Sequence, residues 1–459
     1  MGRTRSFMTP QNNHLLPCIP KKAMLKYKKT PKGGDIMKRN SRFWLSLIIF
    51  SLVGQIAWVM ENMYLNVFIY ERFRASEDQI ALMVAASAAA ATITTLLIGP
   101  LSDKLGKRKF FICGGYVAWG ISIWCFALIN MLSPAVAMTA SAATTGVTLV
   151  ILMDCLMTFF GSTANDAAFN AWLTDSTDET NRGAAEGINA MMPMVAILFV
   201  FGGAMLLNKE DPNYWNIFFG VLGTLVLIIG ALGFFLIKEP KVDTADNTNY
   251  LKNLIYGFRP KVIKENKAMF FTLLAFCIFG ISIQCFMPYL ILYYEKTLKM
   301  DNYVLIFAPA IVLAAVFTFF YGKLYDKKGF RFSIVPSLCL LMVGYILLYF
   351  FRGFVPVFAG TLLMLCGYLS GMAVFGAMLR DHTPENKAGV FQGPRIIAQV
   401  LIPGVVGPAI GTAVLKNAEK ILNGDGTYSF LPNANVFLAA LAVMVPLWIS
   451  LIPLLKNKK

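Results

Sequence analysis

The most restrictive feature of this chain is a ten-residue sequence that occurs twice between apolar segments. Residues 99–108 read GPLSDKLGKR and residues 322–331 read GKLYDKKGFR, so Gly, Leu, Asp, Lys, Gly and Arg share one register. The copies lie 223 residues apart (322 − 99). A second pair, residues 173–187 and 379–393, shares Leu, Asp, Thr, Glu and two Gly at an offset of 206 (379 − 173). The chain is therefore predicted to be a duplication.

The composition indicates a chain whose solvent is lipid, with 57% hydrophobic residues, 14% charged residues and a mean hydropathy of +0.61. A helix needs about 20 apolar residues to cross the hydrocarbon core. Twelve segments satisfy this length, which predicts an all-α membrane protein of two pseudo-symmetric six-helix bundles, residues 43–237 and 268–455. The predicted spans are 43–69, 78–99, 110–130, 147–173, 184–207, 215–237, 268–292, 303–321, 333–351, 354–379, 389–414 and 434–455.

The cations predict the orientation, because Lys and Arg are retained in cytoplasmic loops. With both termini inside, 32 of the 41 Lys and Arg fall on the cytoplasmic side, eight fall outside and one, Arg395, lies within a helix. Residues 1–42 are predicted to be a basic cytoplasmic tail, for which Met37 would be a more usual start, residues 238–267 a cytoplasmic linker, and residues 456–459 a cytoplasmic C terminus. The net charge of +16 then reflects this bias and anionic lipid, and no nucleic-acid partner is expected.

Enzymatic chemistry finds little support in the sequence. The eight cysteines form no CxxC pair, and the two histidines, His14 and His382, lie outside the predicted spans. No GxxxxGK[ST] sequence is present, so ATP is not bound by a P-loop. We expect neither an enzyme, a cofactor nor a metal centre.

The repeated ten-residue motif is suited to the hairpin between two membrane helices. Its first glycine permits close helix approach, its second a tight turn, and its aspartate accepts bonds from free backbone N–H groups or pairs with an arginine. The alternative is a loop of solvated charges that only sets topology. The residues assigned to this conformational motif are Gly99, Asp103, Gly106 and Arg108 in the first copy and Gly322, Asp326, Gly329 and Arg331 in the second.

This motif resembles the one that the major facilitator superfamily carries between helices 2 and 3 and again between helices 8 and 9. More narrowly, residues 54–62 (GQIAWVMEN), Asp154 and residues 162–170 (STANDAAFN) resemble the glycoside-pentoside-hexuronide:cation symporters. The resemblance implies two bundles that rock around a central cavity lined by helices 1, 4, 7 and 10. Helix 2, from Gln79 to Gly99, lacks the acidic residues that help bind sodium in the melibiose permease of that branch. A proton is therefore expected as coupling ion in preference to sodium.

Ionisable residues within spans are expensive and usually functional. Glu61 on helix 1 and Asp154 on helix 4 fall at similar depth in the outer half of the bilayer, where a desolvated carboxylate can exchange a proton near neutral pH. They are the predicted ion-coupling pair. The alternative is a structural ion pair or an interfacial position. Asp166, with Arg395 as inner counter-charge, forms the reserve pair, although Arg395 alternatively snorkels to the interface.

Polar residues at helical spacing accompany these acids. Gln55, Trp58, Asn62 and Asn66 follow one stripe on helix 1, and Asp154, Thr158, Gly161 and Asn165 follow another on helix 4. Amides and carboxylates bind sugar hydroxyls, while the apolar face of a sugar stacks on an aromatic ring such as Trp58, unless that residue only packs. The predicted substrate-binding residues are Gln55, Trp58, Asn62 and Asn165 in the first half and Gln284, Tyr289 and Tyr368 in the second.

These observations favour a multi-pass plasma-membrane transporter that moves a sugar or glycoside by alternating access, in symport with protons. The alternative is a major facilitator exporter or exchanger of another small solute, such as an organic acid, a drug or a lipid. The polar stripes argue against an exporter of purely apolar drugs.

Overall fold

The structure, a computed structural model, describes residues 33–136, 140–177, 182–239, 258–300, 302–382, 392–422 and 428–456. In these ranges the chain is helical apart from a short β-hairpin and connecting turns. Residues 1–32 of the predicted tail, residues 240–257 of the predicted linker and residues 457–459 lie outside the described residues.

The prediction of twelve crossings is confirmed. Eleven described helices are long and apolar enough to cross a membrane, and the fifth crossing contains a shorter apolar stretch, Met191–Leu206. The helices of the first half are α1 (Gly33–Val59, Met60–Tyr64 and Leu65–Phe73), α2 (Glu77–Leu105), α3 (Arg108–Val136), α4 (Ala140–Gly161, Ser162–Phe169 and Asn170–Ser176), α5 (Arg182–Leu206) and α6 (Tyr214–Leu236).

The second half repeats this order after a short linker helix, Pro260–Glu265. Its helices are α7 (Lys267–Gln284, Met287–Tyr289, Leu290–Leu292 and Tyr293–Thr297), α8 and α9 (together Val304–Phe350, divided at Gly329), α10 (Phe354–His382), α11 (Gln392–Ile396, Ile397–Leu401 and Ile402–Leu415) and α12 (Asn435–Lys456). Strands β1 (Lys420–Leu422) and β2 (Tyr428–Phe430) pair antiparallel between α11 and α12.

Packing follows the duplication. Within the halves α3 packs on α6 and α7 on α12, and between the halves α2 contacts α11 and α5 contacts α8. We call the end of the bundle that carries residues 99–108 and 322–331 the motif face, and the opposite end the far face. Large apolar side chains on many helices are exposed at the perimeter, as expected for helices whose outer surface contacts lipid.

Four helices leave regular α-helical geometry inside their spans. π-Helical turns occur at Met60–Tyr64 in α1, Ser162–Phe169 in α4, Tyr293–Thr297 in α7 and Ile397–Leu401 in α11. π-Turns are rare and are often found at functional sites. They place irregular backbone at membrane depth, which proteins tolerate where the segment is buried or lines a cavity.

Candidate functional site

The two carboxylates predicted to bind the coupling ion lie together inside the first half. Glu61 and Asp154 are 6% and 1% exposed. Thr158 donates a hydrogen bond from Oγ1 to Oε1 of Glu61 at 2.8 Å, and Asp154 is close enough to repel the charge on Glu61. Neither carboxylate forms an ion pair with any described residue. Two unpaired charges so close together are costly in a medium of low polarity.

Trp58 lies one turn before Glu61 and is half-buried. Its ring packs against Trp119 of α3, with ring centroids 4.9 Å apart and an angle of 54° between the planes. A Cβ at Gly161 of α4 would lie 2.7 Å from Cε2 of Trp119 and 3.0 Å from Cη2 of Trp58. Glycine at position 161 therefore allows both indoles to lie against α4.

A π-turn lies within the polar stripe predicted on α1. The π-turn at Met60–Tyr64 changes the angular register after Trp58. Asn62 is exposed and Asn66 is buried, and each donates its amide N–H to the carbonyl four residues earlier.

The other predicted residues of the first half lie on the same helices. Gln55 is half-buried, and Nδ2 of Asn165 would lie 2.7 Å from a Cβ at Gly54, which brings α4 against α1. Asp166 is half-buried and accepts a hydrogen bond at Oδ2 from Ser162 at 2.9 Å. Asp166 is also close enough to repel a negative charge on Glu61.

In the second half the predicted residues differ in accessibility. Gln284 and Tyr368 are half-buried, and Tyr368 stacks on Phe279 at 6.4 Å between centroids. Tyr289 is fully buried, and its hydroxyl donates to the Glu77 carbonyl oxygen at 3.1 Å and lies 2.9 Å from Thr412 Oγ1. Tyr289 thus joins the two halves.

Arg395 lies exposed at the start of α11. Its Nε donates to Oε1 of Gln399 at 3.2 Å. Asp166, the partner predicted for it, accepts a hydrogen bond from Ser162. The pairing of Arg395 with Asp166 stays a prediction.

The conformational motif of the first half is closed by Arg108, which is 4% exposed. Its Nη1 donates to Ser102 Oγ at 2.6 Å, and its Nε lies 3.1 Å from Oδ2 of Asp175. Gly106 has a φ of 61°, which places the turn in the left-handed region. One ion pair thus connects the two repeated motifs of this half. The side chain of Asp103 lies outside the described residues.

The motif of the second half uses a different residue for the same connection. Tyr325, which stands at the register of Ser102, donates its hydroxyl to Oδ2 of Asp381 at 2.5 Å. Arg331 is exposed, and Gly329 has a φ of 74°. The side chain of Asp326 also lies outside the described residues. A tyrosine thus bonds the carboxylate in the second half, where an arginine does so in the first.

The far face holds the two halves together. Lys296 Nζ lies 2.8 Å from Glu71 Oε1 and 3.0 Å from Glu295 Oε1, and Lys209 Nζ lies 2.8 Å from Glu295 Oε2. We call these four residues the far-face network. These ion pairs connect the first half to the second at this face.

Two further contacts reinforce the far face. Tyr64 of α1 and Tyr303, just before α8, share a hydrogen bond at 3.2 Å. Tyr70 donates to the Phe430 carbonyl of the β-hairpin at 2.6 Å. The hairpin therefore covers the far-face end of the interface.

Two parts of this site leave no signal in the sequence. Trp119 lies in an apolar span among other aromatic residues, with no charged residue within two helical turns on either side. The members of the far-face network lie at span ends, where charges are expected in any membrane protein. Their pairing depends on how the helices pack.

The family model described as Major Facilitator Superfamily matches residues 43–408, and this chain belongs to that family. It is a transporter and a multi-pass protein of the plasma membrane. No curated protein sequence matches it significantly.

Solved structures share this fold. The nucleoside transporter NupG has a TM-score of 0.64 at 14% identity, covering 90% of this chain and 99% of that one. The xylose transporter XylE from E. coli, in a partially occluded inward open conformation, has a TM-score of 0.64 at 11% identity, with 90% and 99% covered. A bacterial homologue of the human lysosomal transporter Spinster, inward-facing and occupied, has a TM-score of 0.62 at 17% identity, with 90% and 95% covered.

Proposed function

We propose that this transporter moves a sugar or glycoside in symport with protons. The observation that carries the proposal is the buried pair of Glu61 and Asp154, which lies one helical turn from Trp58 and has no cationic partner among the described residues. A carboxylate kept in this setting is suited to binding and releasing a proton. Protonation of the pair removes its repulsion, which couples ion binding to the neighbouring substrate site.

The substrate class rests on the residues around Trp58. The indole of this half-buried residue can accommodate the apolar face of a sugar ring, and the amides of Gln55, Asn62 and Asn165 offer directional donors and acceptors to hydroxyls. Gln284 and Tyr368 complete the proposed site from the second half. The sequences 54–62 and 162–170 support a place in the glycoside-pentoside-hexuronide:cation branch. XylE, described as a proton:xylose symporter, shows that this fold accommodates such a function.

The transport cycle follows from the bonds between the halves. With the motif face assigned to the cytoplasm by the inside bias of Lys and Arg, the far face is external and the structure is closed to the outside. Substrate and proton would then leave towards the cytoplasm, and the halves would rock to open the far face. The two conformational motifs would stabilise the motif face in the opposite state.

The test is a substrate-induced pH change in proteoliposomes loaded with a pH indicator. A panel of mono- and disaccharides is added to vesicles that contain the wild-type protein, the E61Q protein or no protein. We expect at least one sugar to acidify the interior of wild-type vesicles, and E61Q to abolish this change. Sodium-dependent uptake without proton movement would overturn the choice of ion, and the absence of uptake of every sugar would overturn the substrate class.

A second candidate substrate is a nucleoside, because the half-buried ring of Trp58 provides a surface on which a base can stack. NupG, described as a nucleoside transporter, has the same fold. Uridine and adenosine therefore belong in the panel, and uptake of a nucleoside alone would favour this candidate.

A further inference from the structure

The π-turn of α1, Met60–Tyr64, carries two side chains that contact different halves of the protein. Glu61 lies at the start of this turn and accepts a hydrogen bond from Thr158 of α4, in the first half. Tyr64 ends the turn, and its hydroxyl lies 3.2 Å from the hydroxyl of Tyr303, in the second half. A single turn of backbone thus connects the proposed proton site to a residue of the opposite bundle.

The ring of Tyr64 is packed within the first half, so its hydroxyl is the part that reaches across the interface. The ring centroid lies 4.9 Å from that of Phe218 on α6 and 5.8 Å from that of Phe201 on α5. Tyr64 and Tyr303 are each 1% exposed. Because both hydroxyls are buried, their mutual hydrogen bond contributes to holding the halves together.

The second-half side of this contact leads to the far-face network. Nζ of Lys209 lies 4.9 Å from the centre of the Tyr303 ring and 2.8 Å from Oε2 of Glu295. Glu295 belongs to the π-turn of α7. The π-turn of α1 also packs against the broken middle of α7. One π-turn in each half is thus joined to the other through Tyr303 and Lys209.

The charge on Glu61 affects how closely the α1 turn can lie against α4. Asp154 is close enough to repel an ionised Glu61, and neither carboxylate forms an ion pair with a described residue. A displacement of the turn away from α4 lowers this repulsion. At 3.2 Å the contact between Tyr64 and Tyr303 is already long for an O–H···O bond, so a displacement of about 0.5 Å breaks it.

We propose that Tyr64 is a positioning residue that links the charge of Glu61 to the opening of the far face. When Glu61 is neutral, the α1 turn keeps its bond to Tyr303 and the closed far face is favoured. When Glu61 is ionised, the turn is displaced and that bond is released. The inference deepens the proposed proton coupling and rests on Glu61 as its site. A proton that binds from outside then favours closure behind it, although no residue of the far-face network changes its own charge.

The experiment is a double-mutant cycle that reads the distance between the halves and needs no substrate. E61Q imitates the neutral acid, and Y64F removes the hydroxyl but keeps the ring. Electron spin resonance between labels at E210C and N417C gives the ratio of open to closed far face, at an alkaline pH that ionises the wild-type carboxylate. We expect E61Q to lower this ratio about fivefold and Y64F to raise it about threefold. In the Y64F background, E61Q should change the ratio by less than about 1.5-fold, because the link is lost.

Y70F is the matched control. Tyr70 of α1 also bonds the second half, at the Phe430 carbonyl, but it lies outside the π-turn. Y70F should raise the ratio, and E61Q should lower it about fivefold with or without Y70F, since the two sites are independent.

Two results would contradict the proposal. One is an E61Q ratio equal to that of the wild type, and the other is an equal effect of E61Q with and without Y64F. If Y64F does not fold, as judged by thermal unfolding, Y303F removes the same bond from the other half and takes its place in the cycle. Failure of the proposed function would instead appear as absent sugar-driven proton movement in wild-type vesicles.

Discussion

The two halves share one helical frame but differ in the chemistry that they place inside it. The offset of 223 residues that relates their motifs pairs Glu61 with Gln284 and Trp58 with Ile281. The first half therefore carries a carboxylate and an indole where the second carries a neutral amide and an aliphatic chain. Duplication supplied two equivalent bundles, and the candidate ion site was elaborated in only one of them.

The motif face shows the same divergence on a smaller scale. Arg108 bonds Ser102 and Asp175 in the first half, whereas Tyr325 bonds Asp381 directly in the second. Equivalent carboxylates are thus held by a charged donor in one half and by a neutral donor in the other. Symmetry of backbone does not require symmetry of electrostatics.

The largest effect on transport is expected when Glu61 is replaced by glutamine, the residue at the equivalent position of the second half. E61Q should abolish uphill accumulation, bringing the internal-to-external substrate ratio to about one, while downhill exchange continues, because the substrate site survives without its ion. The same result is expected for D154N. Both activities are measured in the same vesicles under an imposed pH gradient. Accumulation by both E61Q and D154N would place the coupling site elsewhere.

A smaller effect, on substrate binding, is expected at Trp58 and at Ile281, the equivalent position of the second half. W58A should weaken substrate binding on the order of 100-fold and W58F by only a few-fold, since stacking needs a ring face. I281A at the equivalent position should bind substrate within about threefold of wild type if only the first half stacks the sugar. Equilibrium binding to purified protein measures all three. If W58A binds substrate as tightly as the wild type, Trp58 only packs against its neighbours and does not contact the substrate.

Substitutions in the far-face network should open the far face more often when they remove more ion pairs. Glu295 contacts two lysines and Glu71 contacts one, so E295Q should populate the open far face about tenfold more and E71Q about threefold more. Spin labels at E210C and N417C, in a background lacking the native cysteines, report the distance between the halves. The exchanged pair E71K with K296E tests the contact itself. Equal distance distributions in all variants would show that the network does not hold the far face closed.

The smallest effect concerns stability at the motif face. R108A removes a buried donor and leaves Asp175 without its ion pair, which should lower the unfolding temperature by about 2–4 °C. R331A should change it by less than about one degree, because Arg331 is exposed. Thermal unfolding in one detergent compares the two proteins, and equal shifts would contradict the divergence of the halves.

Hydropathy and internal repetition were sufficient to predict the fold, because a bilayer dictates span length and a repeat dictates bundle number. Burial of Glu61 and Asp154 was predictable from the cost of charge in lipid. The π-turn at Met60–Tyr64 was not predictable, since the stripe assumed 3.6 residues per turn and this segment departs from that period. Trp119 and the far-face network depend on contacts between helices distant in the chain, which periodicity along one helix does not contain.

The far-face network has a property that follows from which half supplies each charge. The first half contributes Glu71 and Lys209, and the second contributes Glu295 and Lys296, so each side of the contact is electrically neutral by itself. Attraction between two neutral pairs declines with distance more steeply than attraction between net charges. Once the halves have moved apart by a few ångströms, little residual pull opposes further opening. Separation also moves no net charge of the network through the membrane field, so voltage would exert little force on this contact.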